Sequence, residues 1–301
     1  MELWVGQKAS LVKTFTQEDF NRFAVLSGDD NPIHVDEVFS SKTHFGRTVA
    51  HGMLLYSILS GLLGKELPGP GSWQVEQDLM FPSPTFSGEP VAFTVELTRL
   101  LNDDLVELST LVTRPDGKAG ASGTTQVRLP GKNYSLPEGS APALQLKTNE
   151  IEPGQNVQLK GLCVGQQATL KRTYTDSDLE DYSDLTGDAN PLFIDPSFAQ
   201  KHGFDTALVP GPLIGGLFSY LLGTKLPGGG TNWLKQRLHF KHPAYPQEEV
   251  TACVEIIRIR PEKNLVNLRT TCTNPAGALV CDGEALVAVR DLLVGESQPL
   301  L

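Results

Sequence analysis

The 301-residue chain lacks the features that mark several large classes of protein. Its four cysteines show no C-x-x-C spacing and no histidine at zinc-site intervals, so we expect reduced core residues. Basic residues number 25 against 35 acidic ones, and the net charge of -10 argues against general nucleic-acid or anionic-membrane binding. The start, residues 1–4, has neither the basic residues nor the apolar run of a signal peptide. We therefore expect a cytoplasmic protein without nucleic-acid or membrane partners.

Long hydrophobic runs are also scarce. The most apolar stretch, residues 53–63, is hydrophobic on nearly every face of a helix, which indicates a helix buried on all sides. It is too short to cross a membrane, which takes about 20 residues. Overall, 40% of the residues are hydrophobic and 20% are charged, a composition typical of a globular protein.

The chain contains an internal repeat that indicates its domain organisation. Gly28-Asp29 recurs as Gly187-Asp188, 159 positions later, and the same offset relates Asn31-Pro32 to Asn190-Pro191. Residues 131–160 are rich in proline and polar residues without sustained periodicity. We predict an N-terminal domain over 1–130, a linker over 131–160 and a C-terminal domain over 161–301.

Each copy predicts an α+β structure. In the first copy, the buried helix is followed by residues 91–98, which alternate apolar and polar as in a half-buried strand, and by a hairpin turn at residues 115–117. The second copy has a matching turn at residues 274–277. One helix followed by an antiparallel meander is predicted twice.

The most informative segment, residues 27–36, reads Ser-Gly-Asp-Asp-Asn-Pro-Ile-His-Val-Asp. It places an acid, an amide and an imidazole within six residues, Asp29, Asn31 and His34, on a segment whose glycine and proline interrupt regular structure. Downstream, Gly52 begins the apolar helix, and the free N–H groups of a helix start suit an oxygen that gains negative charge. This combination favours proton transfer next to a polarised carbonyl.

The segment from Phe23 through this motif to Leu54 closely resembles the (R)-specific enoyl-CoA hydratases, the MaoC-like dehydratases. The resemblance covers residues from about 5 to 130 and extends weakly over the remainder. It implies two tandem hot-dog folds, each an antiparallel sheet wrapped around a central helix, forming a double hot dog within one chain. It also implies reversible syn addition of water to a trans-2-enoyl thioester, giving the (3R)-hydroxyacyl thioester.

The resemblance assigns the acid–base pair to Asp29 and His34, without deciding which residue gives and which takes the proton. Asn31 would orient the water or fix Asp29, and the N–H of Gly52 would hydrogen-bond the thioester oxygen. No cofactor is expected beyond the coenzyme A or acyl carrier protein that carries the substrate. Association into a homodimer stays open.

The two copies differ at the predicted site. Phe193 stands at the position of His34 and Pro210 at that of His51, while Asp188 and Asn190 persist. Because a phenyl ring cannot carry a proton, we expect one catalytic site per chain, in the N-terminal half.

Several residues near the motif have two interpretations. His51 either shapes a substrate-binding pocket for the carbonyl or packs beside the helix start. Asp36 either orients His34 or, as we prefer, caps the following helix. The potential metal ligands lack a known spacing, so we expect no metal. These are Asp29, His34, Asp36, His44 and His51.

Coenzyme A needs cations on this acidic protein. Lys235, Arg237, His239 and Lys241 alternate with other residues and would share one strand face, where the first copy has acidic residues. This face is either a phosphate-binding wall, with Lys235, Arg237 and Lys241 as substrate-binding residues, or a solvated face paired with acidic neighbours. Two further functions also remain open, a hot-dog thioesterase and a non-catalytic subunit that binds acyl thioesters.

Overall fold

A computed structural model describes residues 2–131 and 159–289. The predicted linker lies almost entirely outside these described residues, so the boundaries of the two domains stay predictions. Within the two described ranges, the search for helices long and apolar enough to span a bilayer finds none.

The two halves contain the same elements in the same order. The first comprises β1 (Lys8–Thr14), α1 (Gln17–Ser27), α2 (Pro32–Val35), α3 (Glu37–Ser41), α4 (Gly52–Lys65), β2 (Trp73–Met80), β3 (Pro90–Leu100), β4 (Leu105–Thr113) and β5 (Ala119–Arg128). The second comprises β6 (Gln167–Thr173), α5 (Asp176–Thr186), α6 (Pro191–Ile194), α7 (Pro196–Lys201), α8 (Gly211–Tyr220), β7 (Thr231–Phe240), β8 (Glu249–Arg260), β9 (Leu265–Thr273) and β10 (Leu279–Val289). A π-helical turn, Leu221–Lys225, extends α8. The repeat detected in the sequence is therefore a repeat of structure.

All ten strands form one antiparallel sheet. Their order is β1-β3-β4-β5-β2-β7-β10-β9-β8-β6, so β2 and β7 join the two halves edge to edge at the centre. The long helices α4 and α8 pack against each other and against the sheet. The prediction of two hot-dog units in one chain is confirmed. Because the two units share one sheet, α4 lies beside the second half and α8 lies beside the first.

The sequence periodicities account for the core. In β3 the buried residues are Val91, Phe93, Val95 and Leu97, the alternation expected for one covered sheet face. Every residue from Met53 to Gly64 in α4 is buried, as its uniformly apolar sequence predicts. Burying each large apolar side chain contributes roughly 1.5–3 kcal/mol, so the contact between helices and sheet dominates the packing energy.

Local capping signals fix the entry to the motif. The side chain of Thr16 accepts a hydrogen bond from the Asp19 N–H and Asp19 accepts one from the Thr16 N–H, which forms a capping box at the start of α1. At the other end, Gly28 adopts φ 77°, a left-handed conformation that favours glycine, and ends the helix. The chain then turns sharply, and Asp29 lies at the exit of α1.

Candidate active site

The motif loop brings Asp29 and His34 together. Asn31 caps the short helix α2, its Oδ1 accepting a hydrogen bond from the Ile33 N–H at 3.3 Å. This places His34 one turn into α2, with its Nε2 3.9 Å from Oδ2 of Asp29. Both side chains are buried, so the predicted acid–base pair forms a close contact shielded from bulk water.

The hydrogen bonds of His34 define its tautomer. Its Nδ1 lies 2.8 Å from the carbonyl oxygen of Val49, which can only accept, so Nδ1 carries the proton. Burial lowers the pKa of His34, an effect that the charge of Asp29 opposes. The neutral imidazole is therefore favoured, with the lone pair of Nε2 on the side of Asp29.

The carboxylate of Asp29 is held by the other half of the chain. Ser219, on α8, donates its hydroxyl to Oδ2 of Asp29 at 2.5 Å, and the Asn31 N–H donates to Oδ1 at 3.4 Å. Burial raises the pKa of Asp29, while His34 and the Ser219 hydroxyl favour the ionised form. Ser219 lies outside the motif and was not among the predicted site residues, although Ser219 repeats Ser60 at the offset of 159 residues.

Asn31 also reaches the second half. Its Nδ2 donates to the carbonyl oxygen of Gly223 at 3.3 Å. A Cβ at Gly223 would lie 2.6 Å from that Nδ2, so a glycine is needed for this approach. Asn31 therefore fixes the loop that carries Asp29.

His51 packs against Asp29 and His34 and does not line the cavity. It is fully buried, its Nε2 donates to the backbone carbonyl of Asp29 at 2.9 Å, and its ring stacks on His34 with centroids 3.8 Å apart. Burial holds its pKa well below the ordinary value, so it is neutral. The structure therefore supports packing, and it does not bring His51 to the cavity as a substrate-binding residue. Asp36 caps α3 through the Phe39 N–H at 2.8 Å, as preferred above.

Gly52 lies at the start of α4, where the first backbone N–H groups have no partner within the helix. It lines the cavity, and a Cβ added there would meet the Phe81 ring at 2.7 Å. A bulkier residue would displace that ring or the helix start. Its placement fits the predicted contact with a carbonyl oxygen.

A cavity of about 400 Å³ joins these groups to solvent. Asp29, His34 and Gly52 line it from the first half, and Ser219 and Trp233 line it from the second. Phe81, Phe86, Leu55 and Leu222 add apolar surface. The cavity is thus built from both halves and combines an apolar wall with a few convergent polar groups, as small-molecule sites do.

The equivalent place in the second half is filled. The cavity there measures about 20 Å³, with Phe193 and Trp73 among its lining residues. Asp188 remains buried and accepts a hydrogen bond from Ser60 at 2.8 Å, matching the contact between Asp29 and Ser219. The carboxylate persists there without an imidazole and without space for a substrate.

The predicted phosphate-binding wall is instead a row of ion pairs between β2 and β7. Arg237 forms a bidentate pair with Asp78, at 2.9 and 3.1 Å, and Lys235 lies 3.9 Å from the same carboxylate. The imidazole of His239 donates hydrogen bonds to the carboxylates of Asp282 and Glu76, and these raise its pKa to about 9.

Lys241 follows the end of β7, and none of Lys235, Arg237 and Lys241 lines the cavity. The structure therefore does not bring these three residues to the cavity, and the paired strand face is the interpretation that the geometry supports.

Three potential metal ligands lie close together in the motif. Asp29, His34 and His51 offer ligand atoms within 4.8 Å of one another. One nitrogen of each imidazole is hydrogen-bonded to a backbone carbonyl, so each ring has one further nitrogen to offer. The expectation that the site holds no metal stays a prediction.

Comparison with known proteins identifies the family. The model of the MaoC like domain matches residues 5–114 and 156–274, and the chain belongs to that family. It is 44% identical to an (R)-specific enoyl-CoA hydratase of Aeromonas caviae over 129 residues, 42% of this chain and 96% of that relative.

It is 39% identical to a mitochondrial 3-hydroxyacyl-acyl-carrier-protein dehydratase of Solanum lycopersicum over 135 residues, 44% of this chain and 81% of the relative. A Mycobacterium tuberculosis protein with a double hot-dog fold superposes with a TM-score of 0.71 at 14% identity, covering 95% of this chain and 96% of the other. That last likeness concerns the fold alone.

Proposed function

We propose that the protein is an (R)-specific 2-enoyl-CoA hydratase, or in the reverse direction a (3R)-hydroxyacyl-thioester dehydratase. The observation that carries the proposal is the pairing of Asp29 with a neutral His34 in a cavity whose wall includes Gly52 at a helix start. The relatives of the same family, named for hydratase and dehydratase activities, support the reaction class.

One water molecule would be held between the pair. The 3.9 Å gap between Nε2 of His34 and Oδ2 of Asp29 lets a single water hydrogen-bond to both atoms. As hydroxide adds to C3, Nε2 takes a proton from the water, and the Asp29 carboxylate stabilises the imidazolium that forms. The imidazolium then returns this proton to C2, so water is the only reactant added. Because the hydroxide and the proton reach the same face of the double bond, the addition is syn.

The thioester oxygen gains negative charge during this addition. The N–H of Gly52 is the donor expected to stabilise it, and loss of such a donor elsewhere costs about 3 kcal/mol of barrier. The reverse reaction uses the same groups, with His34 removing the proton from C2.

The proposal predicts an acid limb in the pH profile. Hydration needs a neutral His34 and an ionised Asp29, and both forms are lost as pH falls. Because burial lowers the pKa of His34 and raises that of Asp29, the rate should fall as pH is lowered and should level off at the pH where both groups have lost their protons.

The test is loss of enoyl absorbance when the protein is mixed with crotonyl-CoA or a longer trans-2-enoyl-CoA, with chiral analysis of the product. We expect (3R)-hydroxyacyl-CoA, and losses of roughly 10²- to 10⁴-fold in Asp29→Asn and His34→Ala, with folding checked by circular dichroism.

Other outcomes would contradict the proposal. A (3S) product would contradict the assigned face, and release of free coenzyme A would favour a thioesterase. Tight binding without turnover of any enoyl thioester would favour a subunit that only binds acyl thioesters.

A further inference from the structure

Three cations lie where the cavity meets solvent, and the proposed chemistry does not use them. Arg114 and Lys118 flank the turn between β4 and β5 and line the cavity, and Lys118 is exposed. The guanidinium of Arg47 lies over the ring of Phe86, 4.1 Å from its centroid, and Phe86 lines the cavity too. We call Arg47, Arg114 and Lys118 the mouth cations.

The chain supplies its own comparison for these residues. The turn recurs between β9 and β10, where the Asn274 N–H bonds to the Ala278 carbonyl just as the Arg114 N–H bonds to that of Lys118. Asn274 therefore takes the place of Arg114, and Ala278 that of Lys118. At the offset of 159, Thr206 replaces Arg47. All three cations are lost at the end of the molecule where the cavity is filled.

The carboxylate of Glu89 does not by itself explain the cations. Glu89 pairs with Arg47 and lies 4.0 Å from Arg114, and Asp116 lies 3.4 Å from Arg114. Glu248 persists at the position of Glu89, with no matching cation at Thr206 or Asn274. The fold thus tolerates the carboxylate without the cations, so the cations are not required merely to neutralise it.

We propose that the mouth cations bind phosphate groups of the carrier arm that delivers the acyl thioester. This inference rests on the proposed function, and it names the part of the substrate that the acidic protein recognises electrostatically. Phosphate is the anion that coenzyme A and the phosphopantetheine arm of a carrier protein share, and Arg and Lys both bind it. Arg114 and Lys118 line the same cavity as Asp29, so a ligand whose acyl end reaches Asp29 has these cations within the same cavity.

The test compares carriers with and without phosphate. The double variant Arg114→Asn/Lys118→Ala installs the residues that the second turn already accommodates, so folding is expected to persist. Two partly exposed ion pairs are together worth about tenfold in binding. We expect the KM for crotonyl-CoA to rise about tenfold with kcat unchanged, and the kinetics of crotonyl-N-acetylcysteamine, which has no phosphate, to stay the same.

The control removes two charges elsewhere. Arg99→Asn/Lys171→Ala breaks exposed ion pairs with Glu107 and Glu249, away from the cavity, and should leave both substrates unaffected. An equal loss with both thioesters, or no change with crotonyl-CoA, would overturn the proposal. A carrier-protein thioester as a third substrate separates the sources: a matching rise in KM supports the shared phosphopantetheine phosphate, and a rise for crotonyl-CoA alone supports the nucleotide phosphates.

Calorimetry measures the affinity for free coenzyme A directly, so this test of the phosphate site does not depend on turnover. The mouth variant should bind coenzyme A about tenfold more weakly than the wild type and the control variant, and added salt should shrink the difference. If the wild type hydrates no enoyl thioester yet shows this difference, the proposed function fails and the phosphate site stands. If all three proteins bind alike, the phosphate site fails.

Discussion

Removal of the Ser219 hydroxyl tests whether the second half tunes the catalytic carboxylate of the first. In Ser219→Ala, Oδ2 of Asp29 loses the hydrogen bond of 2.5 Å that favours its ionised form. A hydrogen bond to a charged group contributes about 1.5 kcal/mol at the lower end of measured values, which corresponds to about one pKa unit. The acid limb of kcat/KM for hydration should therefore move up by about one pH unit.

The chain contains a matched control for this variant. Ser60 donates to Asp188 at 2.8 Å in the filled half, so Ser60→Ala removes the equivalent bond where no chemistry occurs. Both variants should lose comparable stability in urea unfolding, while only Ser219→Ala shifts the pH profile measured by enoyl absorbance between pH 5 and pH 8. The same shift in both variants, or a loss of stability in Ser219→Ala without any shift, would refute the assigned role.

Two further predictions use the same internal symmetry. Burial raises the pKa of Asp188 from 3.8 to about 6, so the folded protein holds this proton more tightly than the unfolded chain and loses stability as pH rises between those values. Asp188→Asn should remove this dependence. From pH 4 to pH 7, the free energy of unfolding of the variant, measured in urea, should rise relative to that of the wild type by up to about 3 kcal/mol. If the difference between the two proteins is the same at both pH values, the prediction is wrong. Gly52→Ala would place a methyl group 2.7 Å from the Phe81 ring in the cavity, and Gly211→Ala would meet Phe240 at the same distance in the filled half. Steady-state kinetics should show lost activity only in Gly52→Ala, and equal losses in both would mean that the effect is structural.

Much of the architecture was predictable because the signals are local. The capping box at Thr16, the turn at Gly28 and the alternation in β3 depend on residues close in sequence, and the alternation predicted over residues 91–98 was confirmed. The repeat offset predicted that the second half has the same elements. Asp36 as a helix cap also follows from its immediate neighbours.

Contacts between the halves could not be predicted in the same way. The basic residues of β7 are paired because β2 and β7 are neighbours in antiparallel register, with Asp78 opposite Arg237. Nothing local specifies that register, so the strand face looked available to a phosphate. Likewise, Ser219 reaches Asp29 only because α8 packs beside the motif loop of the first half.

The most direct test of the account is the activity of two equivalent variants, Asp29→Asn and Asp188→Asn, with crotonyl-CoA. The proposed reaction takes place at a single site, in the half that keeps His34 and a cavity of about 400 Å³. It predicts that Asp29→Asn loses at least about 10²-fold in kcat, while Asp188→Asn stays within about twofold of wild type. If Asp188→Asn is as damaging as Asp29→Asn, the single-site account is wrong.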